Sequence, residues 1–505
     1  MRPACSHVAL APVFLLLLAA CGGGGGGGGS TGFAGKPGPA RSDGGSMSDF
    51  GHAVACYPDG SFVVTGQFEG SATFGAGSPG ATTLSALPGS CVFIARYDAS
   101  FNLMWVRQTQ GPNGGHSGKG VAVAPDGSIL VVGHFLSVAQ FDGGSANAQT
   151  LLAAGGSSDQ EGFVARYTAG GDLVWVYGIG GVANQGAVDV AVASDGSAYV
   201  TGSMAGSTTF DAGGNTQKTL PPFGGEDAFV ARYAADGSLV FATLAGGTTM
   251  DRPTSIDIVP GGGCVIAGLF EGSAVFGFFE QNATILASAG GTDAFLAGYA
   301  DDGSLIWAKR AGGPLHDAAG AVMAYGNGAF AATGYFGGTA VFGPGESAQA
   351  SMTASGALDL WIAVLTSVGD LAWVRGAGGD DTLGGTAIGR GPGGSLIVAG
   401  YLRGGATFGS SEPNETVLGT NPGQPDAFVA RYEANGSLAW ADNVGSQVED
   451  AAWGLATLPS GHALIVGSFR GTAVFGKGGL NQTDLVSAGD DDIFIARYNA
   501  NGELD

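Results

Sequence analysis

One segment of this chain is spelled again and again. "DAFVARYAADGSLVFATLAGG" runs from Asp227 to Gly247, "DAFLAGYADDGSLIWAKRAGG" starts at Asp293, and "DAFVARYEANGSLAWADNVGS" starts at Asp426. Followed by its first aromatic residue, the segment recurs at Phe93, Phe163, Phe229, Phe295, Trp361, Phe428 and Phe494, at intervals of 70, 66, 66, 66, 67 and 66 residues. A second anchor, of the type "TAVFG", ends at Gly75, Asp142, Asp211, Gly277, Gly343, Gly409 and Gly476 and keeps the same phase. Self-similarity at a fixed period of this size predicts a repeat architecture in which each copy is one supersecondary unit.

Each copy divides into short strands. In the second copy, "GVAVAPDGSILVVGHF" (Gly120 to Phe135) holds two apolar runs joined by Asp126-Gly127, a strong hairpin signal. A Gly- and Ser-rich excursion carries the Phe141 anchor, and "GFVARYTAGGDLVWVYG" (Gly162 to Gly178) supplies two more strands. Four antiparallel strands, a to d, make one twisted sheet with two apolar faces that it cannot cover alone, so the copies must stack. Strand a is built from small residues, as at Val121 to Ala124, and suits a crowded centre; strands c and d carry Trp105, Trp175, Trp307, Trp373 and Trp440 and suit a wider rim. The expectation is an all-β, seven-bladed β-propeller over residues 35–505, with an open arc or a β-solenoid as the alternative. The last copy stops at "FIARYNANGELD", where its strand d is due, and the lead-in "GKPGPARSDGG" (Gly35 to Gly45) aligns with strand-d tails such as "WAKRAGG". Residues Ala40 to Gly45 are therefore expected to complete the last blade, as an edge strand that tolerates the prolines before it. Composition agrees. With 97 Gly and no three-residue period the chain needs many tight turns, and 45% hydrophobic against 12% charged residues suits a buried core rather than disorder.

The first thirty residues read as an address. One Arg precedes an apolar run from Val8 to Ala20, too short to span a bilayer and suited to a secretory signal. Leu18-Ala19-Ala20-Cys21 resembles the lipobox of bacterial lipoproteins, which makes residues 1–20 a signal peptide and Cys21 the lipidated residue. Gly22 to Gly29 then form a flexible tether, so residues 21–34 link an anchor to the folded body. Acyl chains supply about 0.8 kcal/mol per buried CH₂, enough for stable attachment when there are several. Gly22 after the cysteine resembles the outer-membrane sorting pattern of enteric bacteria.

From Asp49 onward, copies of D-x-F-V-A-R-Y-x-x-x-G-x-L-x-W followed by Gly-Gly resemble the bacterial β-propeller repeat called SBBP. Tethered lipoproteins of this build are similar to those of myxobacteria and their relatives. The resemblance implies a seven-bladed propeller in the envelope or on the cell surface. It implies no particular activity and no catalytic residues.

Two polar columns run through the copies. Two residues before each anchor aromatic stand Cys91, Glu161, Asp227, Asp293, Asp359, Asp426 and Asp492. Their oxygens are of the type Ca²⁺ takes, but separate blades hold them apart, so the column is expected to accept backbone N–H groups at the entrance to strand c. Ten residues before each a–b turn stand Asp49, His116, Gln185, Asp251, Asp317, Leu383 and Asp450, in the loops from strand d to the next strand a. The sixth of these loops, "GGDDTLGG", also offers Asp381. By analogy with other propellers this rim is the expected binding face, with Asp49, His116, Gln185, Asp251, Asp317, Asp381 and Asp450 as its residues. The alternative is that the column hydrogen-bonds blade to blade.

Other features narrow the function further. Arg96, Arg166, Arg232, Arg431 and Arg497 alternate with aromatic residues along strand c and are expected to be paired on the surface rather than to bind anions. No HExxH or CxxC pattern is present and no GxSxG elbow stands between a strand and a helix, so the chain is read as no enzyme, with no cofactor expected other than Ca²⁺ as an alternative. Cys56 and Cys91 fall on strands a and c, ~9.5 Å apart with strand b between them, too far for a disulfide. Asn282, Asn414 and Asn481 begin Asn-x-Thr triplets, which signify little in a bacterial lipoprotein. A formal charge of −23 excludes a nucleic-acid partner and disfavours an anionic membrane surface. The expectation is a monomeric envelope lipoprotein that binds a protein or glycan through its rim loops. Unlike polar residues converging on the central channel would favour an enzyme instead, and uniform small residues there would favour a scaffold or spacer.

Overall fold

The computed structural model describes residues 38–505 apart from 144, 157–158, 212–213 and 421–422. The expected signal segment, Cys21 and the tether to residue 34 lie outside the described residues.

The chain is all-β, with no α-helix among the described residues, and the strands follow the repeat. In the first copy, strand a (Phe50–Cys56), b (Phe62–Phe74), c (Thr82–Tyr97) and d (Leu103–Gln108) pair antiparallel in that order. The later strands a are Ser117–Val123, Gln185–Val192, Asp251–Ile258, Ala318–Gly326, Thr382–Arg390 and Ala451–Thr457. The a–b turns of the first three copies form where Asp-Gly-Ser stands. Ser61 turns its N–H (2.9 Å) and hydroxyl (2.6 Å) onto Asp59 Oδ1, while Gly60 takes φ of 85°, which a side chain would resist.

The core is divided among the junctions between copies. Along strand b, Phe62 and Val64 pack with Leu464 and Val466 of the last copy, whereas Val63 packs with Val121, Ile129 and Val131 of the second. Period-two alternation thus gives every sheet two apolar faces. The same division recurs between the second and third copies, third and fourth, fourth and fifth, fifth and sixth, and sixth and seventh.

The copies are not separate sheets, as the sequence reading has them. The Gly-Gly that ends strand d pairs with the Phe-anchor excursion of the next copy, as in Gly246↔Val275 and Gly247↔Ala274, and Gly44↔Thr73 and Gly45↔Ala72. Glycine is required because a Cβ at Gly247 would sit 1.9 Å from Ser273 O. These pairs weld neighbouring copies into sheets of up to ten strands. The Arg column adds a second tie: Arg96 donates to Ala169 O (2.7 Å), Arg166 to Ala235 O (3.2 Å), Arg431 to Ala500 O (2.6 Å) and Arg497 to Ala99 O (2.9 Å). Each acceptor is the c–d turn of the following copy, and Arg497 reaches from the last copy to the first.

The lead-in strand lies where the alignment places it. Ala40–Gly45 pairs antiparallel with strand c of the last copy, Ala40↔Ala496 to Asp43↔Ile493. Its side chains lock onto the first copy: Asp43 accepts from Arg41 (2.9 Å), Tyr97 Oη (2.5 Å) and Gly75 N–H (2.8 Å), and Arg41 also donates to Phe101 O. Arg41 and Asp43 are both buried. Asp43→Ala leaves that guanidinium without its counter-charge and is expected to destabilise the protein by about 3–5 kcal/mol, read by denaturant unfolding. A loss below about 1 kcal/mol would show that the lock is solvated and weak.

Candidate functional site

The first polar column fixes turns. Asp227 accepts the Phe223 N–H (2.8 Å), Asp293 that of Ala289 (2.9 Å), Asp359 that of Ser355 (2.8 Å) and Asp492 that of Ala488 (2.8 Å), in each case four residues back along the chain. Glu161 does the same for Ala154 with its longer side chain.

The second column corrects the expected binding face. Asp49, His116, Gln185, Asp251, Asp317 and Asp450 are no more than 1% exposed and face no solvent. Asp49 accepts from Gly45 (2.7 Å) and Glu69 (3.0 Å), Asp317 from Gly313 (2.7 Å) and Gly337 (3.1 Å), and Asp450 from Ser446 (2.5 Å) and Arg470 (3.1 Å). One oxygen holds the end of the preceding copy's strand d and the other holds strand b of its own copy, so the column clamps junctions. Gln185 bonds Val182 O (2.9 Å) and His116 bonds Thr109 Oγ1 (3.1 Å), both inward. Asp381 alone of the expected set is half-exposed, 3.4 Å from Arg403.

At four junctions the two columns meet. Asp492 faces Asp49, Asp227 faces Asp251, Asp293 faces Asp317 and Asp426 faces Asp450, across the strand-d glycines. A Cβ at Gly44 would lie 2.5 Å from Asp492 Oδ1 and 3.0 Å from Asp49 Oδ2. Burial, with the neighbouring acid adding to it, pushes Asp49 up to about 8 and Asp251 and Asp450 up to about 7. Burial likewise pushes Asp492 up to about 7.

The residues that sequence reading missed stand three positions further on. Every strand a carries a β-bulge, with register shifts around His52, Lys119, Val188, Thr254, Gly320, Thr386 and Trp453. The bulge turns this residue out of the regular alternation. Where it is small and polar it ties neighbouring strands a: Thr254 Oγ1 donates to Ala319 O (2.9 Å) and Thr386 Oγ1 to Ala452 O (2.7 Å). His52 makes the matching bond, Nδ1 to Gly118 O (2.9 Å), and Lys119 Nζ lies 3.4 Å from its Nε2. Trp453 Nε1 donates to Ser468 Oγ (3.2 Å). Phe50 stacks on His52 at 6.2 Å, and His134 lies on the strand beside Lys119, opposite Ser117. Burial, then the Lys119 charge, holds His52 well below the usual imidazole range and His134 at about 3. Burial brings Lys119 down to about 8.

No family model matches the chain. A curated relative, the regulatory protein FlaEY of Caulobacter vibrioides, is 28% identical over 380 residues, covering 70% of this chain and 36% of its own length. The chain thus spans about a third of the relative it matches. Among solved structures, the WD40 β-propeller domain of Doa1 is 11% identical with a TM-score of 0.41, covering 90% of this chain and 96% of that one. Sqt1 from Chaetomium thermophilum is 10% identical with a TM-score of 0.40, covering 92% and 99%. The rhamnogalacturonan lyase YesW is 12% identical with a TM-score of 0.28, covering 91% and 76%. Likenesses at these TM-scores carry neither activity nor partner to this chain.

The paired acids make a pH prediction. Their folded values lie above the ~4 of a free aspartate, so the folded state binds protons that the unfolded chain has released. That contribution is complete below pH ~4 and is lost as pH rises through about 8. The thermal midpoint is expected to fall between pH 5 and pH 8, and Asp49→Asn to flatten that slope; an unchanged slope in the variant would assign the effect to other groups.

Proposed function

We propose that this chain is a closed seven-bladed β-propeller of SBBP type, lipid-anchored through Cys21 at a bacterial envelope, which binds a ligand at its inner face. The cyclic order of the strands a supports closure, since each lies against the next and Ala451–Thr457 lies against Phe50–Cys56. The pairing of Ala40–Gly45 with the last strand c supports it too.

One observation carries the binding reading. His52, Lys119 and Trp453 occupy, in three consecutive copies around that order, the bulge position that Val188, Thr254, Gly320 and Thr386 hold in the other four. A spacer needs only copies that stack, and every stacking device described above is indifferent to this position except the tie to the next strand a, which Thr254, Thr386 and His52 make. Large and unlike side chains on one arc serve a ligand. The same arc also gives the enzyme reading one point in its favour, an amine beside an imidazole. Against it, His52 and His134 are held neutral and far too acidic to act as strong general bases.

Two measurements test this reading. A fatty-acid label fed to cells is expected to enter the full chain and to vanish in Cys21→Ser; label persisting in the variant would remove the anchor. Envelope extract passed over the chain lacking residues 1–21 is expected to leave a saturable ligand, held about tenfold or more weakly by Trp453→Ala. Bait shown to be folded that retains nothing would favour the spacer.

A further inference from the structure

We propose that Lys119, with His52, forms an oxyanion-binding site on the inner face of the first and second copies, which takes a carboxylate or phosphate group of a small ligand. The inference rests on the inner face being open to ligands, as the proposed function has it.

Lys119 is an ammonium without a counter-ion in a protein rich in them. The chain has 42 Asp and Glu against 19 Lys and Arg. Lys309 sits 2.9 Å from Glu346 and 2.6 Å from Asp370, Lys218 donates to Ala242 O (2.7 Å), and Lys477 lies in the field of Asp426 and Asp442. Lys119 instead meets an imidazole. Because His52 Nδ1 is bonded to a carbonyl, it carries the proton, and Nε2 is left as a lone pair that accepts one ammonium N–H. An ammonium has three N–H donors, so two remain, and no protein acceptor takes them among the described residues. Asp189, which packs against Gly120, accepts the N–H groups of Ile256 (3.0 Å) and Val190 (2.8 Å). His134 beside it is neutral and brings no negative charge.

Half-buried ammonium groups are costly unless a counter-charge is supplied, and the lowered value of Lys119 records that deficit. An oxyanion supplies both the charge and two acceptors, through short charge-assisted bonds. The formal charge of −23 opposes an approaching anion only weakly at the site, because exposed charges are screened beyond about 8 Å at physiological salt. Local geometry therefore decides. The rings of Phe50 and Trp453 on the same arc would border the rest of the ligand.

The test reads the Lys119 amine directly. The full chain is acylated briefly at pH 8 and labelling is measured at each lysine by mass spectrometry, with Lys218 and Lys477 as references. Chloride, phosphate, acetate and glucuronate are compared at one ionic strength. Saturating oxyanion is expected to slow labelling of Lys119 about tenfold while the references hold steady. Protection by phosphate alone would identify a phosphate carrier, and protection by acetate and glucuronate a carboxylate. Phosphate is also expected to raise the thermal midpoint of the native chain and not that of Lys119→Met. Equal labelling in all four salts, or a Lys119 that never labels, would overturn the proposal. Oxyanion protection lost while an envelope ligand is still retained would remove this site and leave the binding face standing.

Discussion

Every sheet here is apolar on both faces, and that constraint governs the rest. Val63 and Val64 are neighbours in sequence, yet they belong to different cores with different partners. No copy can bury both faces by itself, so stability resides at junctions. The devices that recur in the chain all serve them: strand-d glycines that let the next excursion pair closely, arginines that hold the following c–d turn, and aspartates that tie strand ends across the gap. Repetition in sequence is the record of one junction solved again and again.

The junctions also show where variation is tolerated. Four of them bury two facing acids, whereas the others pair Cys91 with His116, Glu161 with Gln185 and Asp359 with Leu383. In each exception at least one of the two carboxylates is gone, which avoids packing like charges together out of water. The clamp survives without the charge because the backbone bond across the junction remains, as in Leu383 N–H to Leu358 O (2.8 Å). A ligand site cannot be built on residues so committed. The proposed site falls instead to the bulge position, where Lys119 is held by no such junction bond.

Much of this was legible beforehand. The period, the Asp-Gly-Ser turns, the strand order and the place of Ala40–Gly45 follow from spacing and turn chemistry, and no disulfide joins Cys56 to Cys91, as strand order requires. The role of Asp49 and its equivalents was not. An aspartate after Gly-Gly reads equally as a loop residue, and only the pairing of those glycines with the next copy draws it inside. The bulge was hidden for a related reason. His52, Lys119 and Trp453 stand three residues after Asp49, His116 and Asp450, but regular alternation would give them no special direction.

The pairing of Ala40 with Ala496 joins the start of the folded body to its far end. During synthesis the strand Ala40–Gly45 emerges well before the strand that it pairs with. Until then the face of the first sheet carrying Phe62, Phe68 and Phe93 has no cover. Nearly the whole chain must be looped before its final contact forms, which slows closure and lengthens the interval in which that face can stick to another chain.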